Sequence, residues 1–232
     1  MWNGKRKAVT FSYDDGVTQD IRLIALLDKY GLKATFNLNS AYLGLPGRLE
    51  RENTVVSHNK VHACKVKETY RNHEVAVHTL SHPNLTEQDA GTIVWQVEQD
   101  RKLLTGLVGY DVVGMAYPCG GVNNDDRVAE VIKTQTGVKY ARTITSTYNF
   151  DLQTNLHRFN PSVYHVMEFD RLMELGKRFV ALKTTAPQLF YIWGHSYEFD
   201  IADNWQRMEE FCRLISGQPD ICYGTNRDVL LA

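Results

Sequence analysis

Apolar residues gather along the chain in short runs, Ala8–Tyr13, Ala34–Leu38, Glu74–Val77, Val112–Ala116, Tyr140–Thr143 and Leu189–Trp193, separated by longer amphipathic segments. Bounded apolar runs that alternate with helical periodicity predict parallel strands joined by helical crossovers, an α/β architecture. The clearest helix spans Glu87 to Leu107, where Ile93, Val97, Leu103, Leu104 and Leu107 recur near helical spacing behind a capping signature at Thr86–Asp89. Gln19–Tyr30, Asp126–Thr136, Phe169–Phe179 and Asn204–Ser216 are predicted as further helices. From Gly44 to Tyr70 the rhythm breaks: the stretch is polar, rich in Asn, His and Lys, keeps neither period, and reads as a long loop or insertion. No repeat, low-complexity tract or linker divides the chain, so residues 1–232 are read as one domain.

Composition narrows the field without changing that picture. A chain of 232 residues with 43% hydrophobic and 23% charged residues has the size and make-up of a single globular barrel. Its formal net charge of -1 offers no basic field to nucleic acid or an anionic membrane, so neither is expected as a partner. No apolar stretch is long enough to span a bilayer. The opening "MWNGKRKAVTF" runs from a basic stretch into a strand, so the expectation is a cytoplasmic chain, or an extracytoplasmic one whose leader has been trimmed. Cys64, Cys119, Cys212 and Cys222 lack CxxC spacing and are read as free thiols, with a Cys212–Cys222 pairing left open.

In parallel α/β folds ligands bind where the carboxyl ends of the strands meet their loops, and four clusters fall there. Asp14 and Asp15 follow the first strand directly in "FSYDDG"; the alternative is an Asp-Gly turn with a helix cap. In "VAVHTLSH", His78 ends a strand and His82 follows four residues later. That spacing lets both imidazoles close on one divalent metal, unless they are simply polar loop residues. With Thr79 where a zinc protease would carry glutamate, a protease reading loses its base. Combined, the clusters suggest Asp15 as the third ligand and Asp14 as a proton acceptor for water. The loop Tyr117-Pro118-Cys119-Gly120 can aim backbone N–H groups at an oxyanion or be an ordinary turn. His195 follows the last strand, where it would serve as a general acid, beside Trp193 as pocket wall. Tyr117, Trp193 and Tyr197 are candidates for stacking on a sugar.

Taken in order, "FSYDDG", "HTLSH", "YPCG" and "WGHS" resemble the polysaccharide deacetylases, the NodB homology domain of carbohydrate esterase family four, from Phe11 to about Phe199. The resemblance implies a distorted (β/α)7 barrel that hydrolyses N-acetyl, sometimes O-acetyl, groups on a carbohydrate with a divalent ion, zinc foremost and cobalt, nickel or manganese tolerated. It implies Asp14 as base, Asp15, His78 and His82 as metal ligands, His195 as acid, and the Cys119 N–H beside the acetyl carbonyl. Two family features are missing: the arginine that usually opens the third motif is replaced by Ala116, and no Asp-Trp signature occurs around Tyr148–Leu156. Arg142 in "KYARTI" and Arg158 in "LHRF" are the candidates to replace the lost charge. Two rival readings stay open, hydrolysis of another non-peptide C–N bond and a catalytically silent sugar-binding barrel.

Overall fold

Strand β1 (Lys7–Asp14) is buried along its whole length, which requires cover on both faces of the sheet. The computed structural model describes residues 1–51, 54–166 and 168–232. After β1 follow α1 (Asp20–Lys29), β2 (Ala34–Leu38), β3 (Arg48–Arg51), β4 (Thr54–Ser57), α2 (Val66–Thr69), β5 (Glu74–Val77), α3 (Ala90–Val108), β6 (Gly114–Ala116) and α4 (Asp126–Gln135). Then come β7 (Tyr140–Arg142), β8 (Val163–Tyr164), α5 (Phe169–Ala181), β9 (Gln188–Gly194), α6 (Glu198–Ile201), α7 (Trp205–Ile215), β10 (Ile221–Tyr223) and α8 (Asn226–Leu230).

The main sheet runs β7-β6-β5-β2-β1-β9-β8 with parallel pairing throughout, and β10 adds to the first residues of β1, Lys7 to Val9. Between the outer strands the chain itself closes the gap. Phe159 N–H donates to Ala141 O (3.0 Å), Thr143 N–H donates to Phe159 O (2.9 Å), and Ser162 N–H donates to Tyr191 O (2.8 Å). The sheet thus curls into a distorted (β/α)7 barrel.

Alternation along β1 explains how this barrel acquires a polar interior at one end. Val9, Phe11 and Tyr13 join the core under the helices, where Phe11 meets Phe211 edge-on at 6.2 Å. The intervening Ser12 instead meets the side chains of Asn37 and Arg142. Ala8, Leu189, Tyr191 and Phe159 form a second apolar cluster with Trp2 and Val229.

One boundary is corrected. The long helix starts at Ala90, because Asp89 is its N-cap and accepts from Thr92 N–H (2.8 Å); it ends at Gly109, whose φ of 83° suits a left-handed cap. The Gly44–Tyr70 stretch, read as a long loop or insertion, has local structure of its own. It carries the antiparallel hairpin β3–β4 and the short α2, with residues 52 and 53 outside the described set. A two-stranded ribbon whose side chains are mostly exposed, Val56 apart, buries too little of one face to impose alternation, so its pattern is silent. All four cysteines are free, Cys212 and Cys222 included. Among the described residues no helix is long and apolar enough to cross a membrane.

Because Phe11 is fully buried in the central strand, Phe11→Ala is expected to cost about 3–5 kcal/mol in urea unfolding. A loss below about 1 kcal/mol would contradict this packing.

Candidate active site

The two adjacent aspartates at the end of β1 occupy different surroundings. Asp14 is almost fully buried, and one guanidinium nitrogen of Arg142 lies 2.5 Å from each of its carboxylate oxygens. Asn37 Nδ2 donates to Asp14 Oδ1 (2.7 Å) and to Ser12 Oγ (2.9 Å), while Arg142 Nε donates to Ser12 Oγ (3.2 Å). Burial alone would raise the Asp14 pKa, but the charge of Arg142, followed by His78 and His195, outweighs it and lowers the value. Asp14 is therefore ionised at neutral pH. Arg142, with no exposed surface, lies over the Trp193 ring at 4.4 Å. Arg158 does not reach the site: it donates to Asn124 (2.8 Å) and Asp126 (2.6 Å).

Asp15 adopts a left-handed backbone, φ 82°, and its side chain shares His78 with Asp14, whose Oδ2 also lies 4.0 Å from His78 Nε2, but otherwise has its own neighbours. Its Oδ1 lies 4.0 Å from His78 Nε2 and 3.8 Å from His82 Nε2, and one ligand atom from each of the three residues falls within 4.8 Å of the others. His78 Nδ1 lies 2.9 Å from the Ala116 carbonyl oxygen, so its ring N–H is engaged there and Nε2 presents a lone pair. Burial pushes the His78 pKa down to about 4, which keeps the imidazole neutral. Asp15 is held well below the usual carboxylate range: burial opposes ionisation, but the His58 hydrogen bond and the charges of His195, Lys60 and His78 prevail. A neutral imidazole with a fixed tautomer, a second imidazole and an ionised carboxylate suit a divalent cation.

The loop carrying the histidines is braced by its neighbours. Asn39 Nδ2 donates to the carbonyls of His78 (2.6 Å) and Thr79 (2.9 Å), and Asp100 of α3 accepts from His78 N–H (3.1 Å). His82 has φ 59°, a non-helical conformation in keeping with Pro83 after it, and its N–H donates to Thr79 Oγ1 (3.1 Å).

His195 follows β9 and packs at 5.1 Å from the Tyr197 ring. Its partner escaped sequence reasoning. Glu198, three residues on, accepts from His195 N–H (2.9 Å), lies 3.3 Å from His195 Nδ1 and 3.1 Å from His165 Nε2, and accepts from the Tyr164 hydroxyl. Burial would lower the His195 pKa, but Glu198, Asp15 and Asp14 together raise it to about 9, so the ring carries a proton at neutral pH. A Cβ at Gly194 would run into the His165 ring, so only glycine permits this packing. The available signal was an acid one helical turn after the histidine.

The remaining candidates divide. In the third loop Asn123 Nδ2 donates to the carbonyls of Tyr117 (3.4 Å), Pro118 (3.0 Å) and Cys119 (2.8 Å), fixing the turn in which Cys119 has φ 69° and Gly120 follows. Burial raises the Cys119 thiol pKa, and Sγ sits 3.7 Å from His82 Nδ1. Tyr117 is fully buried with its hydroxyl bonded to His157 O (2.7 Å), so it has no face for a sugar. Trp193, 6% exposed, is stacked on Tyr164 at 4.4 Å and is likewise a supporting wall rather than a platform.

A rim of carboxylates and imidazoles around Asp15, His78 and His82, three residues that could hold a metal ion, on a distorted (β/α)7 barrel, is an arrangement suited to metal-dependent hydrolysis. A model of the family described as polysaccharide deacetylase matches residues 3–141, and this chain belongs to that family, whose members are hydrolases that remove acetyl groups from sugars. The peptidoglycan-N-acetylglucosamine deacetylase PgdA of Listeria monocytogenes is 28% identical over 129 residues, covering 54% of this chain and 24% of that protein. The chain thus matches about a quarter of that relative's length. Among solved structures, the family 4 carbohydrate esterase from Streptomyces lividans in complex with acetate has a TM-score of 0.58 at 14% identity, covering 95% of this chain and 93% of that one. Peptidoglycan deacetylase PdaC from Bacillus subtilis has a TM-score of 0.56 at 17% identity, covering 97% and 91%. These two likenesses concern the fold.

Since the lowered Asp14 pKa contributes stability above the unfolded-state value near ~3.9 and loses it as pH falls through the folded value, Arg142→Met has a signed consequence. The variant should lose about 3–5 kcal/mol at pH 7, and the deficit should shrink toward pH 4 as the unpaired carboxyl takes up a proton. Urea unfolding at both pH values checks this; a deficit independent of pH counts against the pair.

Proposed function

We propose that this chain is a metal-dependent deacetylase that releases acetate from N-acetylated amino sugars within a glycan. The observation that carries the reading is the division of the two aspartates: Asp14 is paired with a buried guanidinium, while Asp15 faces two imidazoles. Asp15, His78 and His82 would hold the ion, with Zn2+ the best match to two nitrogens and one carboxylate oxygen. Such an ion, when bound, supplies Lewis-acid polarisation of a carbonyl and lowers the pKa of water.

The chain's own groups then carry the protons. As the oxygen of a water molecule bonds to the acetyl carbon, Asp14 takes the water's proton; Arg142 and Asn37 hold its carboxylate in place. The Cys119 N–H, for which no acceptor is found among the described residues, faces the developing oxyanion. The C–N bond then breaks with transfer of the His195 proton to the sugar nitrogen, giving acetate and a free amine. Glu198 orients that imidazole and stabilises its charged form. A sugar substrate also accords with the family to which the chain belongs and with the named activity of its Listeria relative.

The test is acetate release from chitooligosaccharides, peptidoglycan fragments and acetylated xylan, with Zn2+ or Co2+ and after chelation. Asp14→Asn should bind metal as the wild type does and lose at least about 100-fold in kcat. Asp15→Ala should lose metal affinity. Acetate from none of these substrates, or equal metal loss in both variants, would overturn the assignment.

A further inference from the structure

The Gly44–Tyr70 stretch returns to the rim just after its hairpin. Residues 58–61 are bonded on both sides: His58 N–H donates to Gly47 O (2.8 Å) and Lys60 N–H to Leu45 O (3.0 Å), while Thr18 N–H donates to Asn59 O (2.8 Å) and Val61 N–H to Gly16 O (2.9 Å). An antiparallel bridge joins Val17 and Lys60. In such an extended segment residues 58 and 60 share a face, and both side chains reach Asp15. His58 Nε2 lies 3.3 Å from Asp15 Oδ2; Lys60 Nζ donates to the Asp15 carbonyl (2.9 Å) and lies 3.8 Å from Oδ1. Both are largely buried, with side chains 19% and 8% exposed. The His58 ring packs edge-on against Tyr197 at 4.9 Å, and Gln19 Nε2 ties Ser57 O (2.7 Å) to Asp200 (3.0 Å) of α6.

The consequence concerns which carboxylate oxygen is left for an ion. Oδ1 is the oxygen that faces His78 and His82, and Oδ2 is the one His58 approaches. A carboxylate rotates readily about its last torsion unless something holds it. Its backbone is also in a sparsely populated conformation that the surroundings must maintain. Lys60 steadies the backbone end, through the Asp15 carbonyl, and His58 steadies the carboxylate.

We propose that the insertion is part of the metal centre, with His58 a positioning residue that donates Nε2–H to Asp15 Oδ2 and so presents Oδ1 to a divalent cation. This rests on the reading of Asp15, His78 and His82 as ligands, and it adds a component from outside the four motif clusters. Partners that orient a ligand in this way are commonly worth 10–100-fold in metal affinity.

The test uses the full chain stripped of metal, with Zn2+ affinity measured by competition with a chromophoric chelator and Co2+ coordination followed by its visible absorption. His58→Phe keeps a ring against Tyr197 but removes the donor; His58→Gln keeps a donor within reach of Oδ2. Expected are a 10–100-fold weaker Zn2+ affinity and an altered Co2+ spectrum for His58→Phe. His58→Gln should stay within about threefold of wild type, and both metal-free variants should unfold at the wild-type urea midpoint. Wild-type affinity in His58→Phe, or loss as large in His58→Gln, overturns the positioning role while leaving the triad intact. A wild-type chain that binds neither ion overturns the triad and this proposal together.

Discussion

The buried pairing of Asp14 with Arg142 is the constraint around which the rest of the site is arranged. A carboxylate with almost no exposed surface at the end of the central strand would be costly without a fixed counter-charge. The counter-charge comes from β7, four strands away in the sheet, so the guanidinium spans the barrel interior to reach β1. Its flat face lies over Trp193 and its Nε meets Ser12, while Nη1 donates to Thr143 O (3.0 Å). The guanidinium that faces Asp14 is thereby pinned on several sides, while the adjacent Asp15 turns toward His82, His58 and Lys60.

That turning is achieved by backbone strain concentrated at the rim. Asp15, Thr79, His82 and Cys119 all have positive φ, and all belong to the loops that carry the candidate site. Such conformations cost about 1–3 kcal/mol each and persist only where the surroundings hold them. The holding groups are visible: Lys60 on the Asp15 carbonyl, Asn39 on the Thr79 carbonyl, Asn123 across the third loop. Several of these residues touch no candidate reacting atom, yet the candidate ligands owe their directions to them.

Much of this architecture was legible in the residues. The buried central strands declared themselves by apolar runs, and the order of "DDG", "HTLSH", "YPCG" and "WGHS" carried a resemblance to the family whose model matches residues 3–141. What stayed hidden depends on relations across the sheet. Arg142 and Arg158 are equivalent in sequence terms; only the register of β7 against β6 and the closing segment near Phe159 separate an inward guanidinium from an outward one. Residue type alone suggests Tyr117 and Trp193 as stacking rings, and it says nothing about whether a ring faces solvent or core. Glu198 carries no distinctive sequence signal, since an acid at a helix start has an ordinary explanation in the helix dipole. His58 lies in a stretch whose exposed ribbon left no periodic trace.

The position of β1 has a consequence for the order of events in folding. Its neighbours are β2, close in sequence, and β9 and β10, drawn from the last quarter of the chain. Pairings of such long range carry a large loop-closure entropy and form slowly. During synthesis, then, Asp14 emerges before Arg142 and β9 and waits for both before it acquires the neighbours that take it out of water. Because the contacts that bury Asp14 come from segments distant in sequence, its desolvation is tied to long-range closure of the barrel and not to local structure.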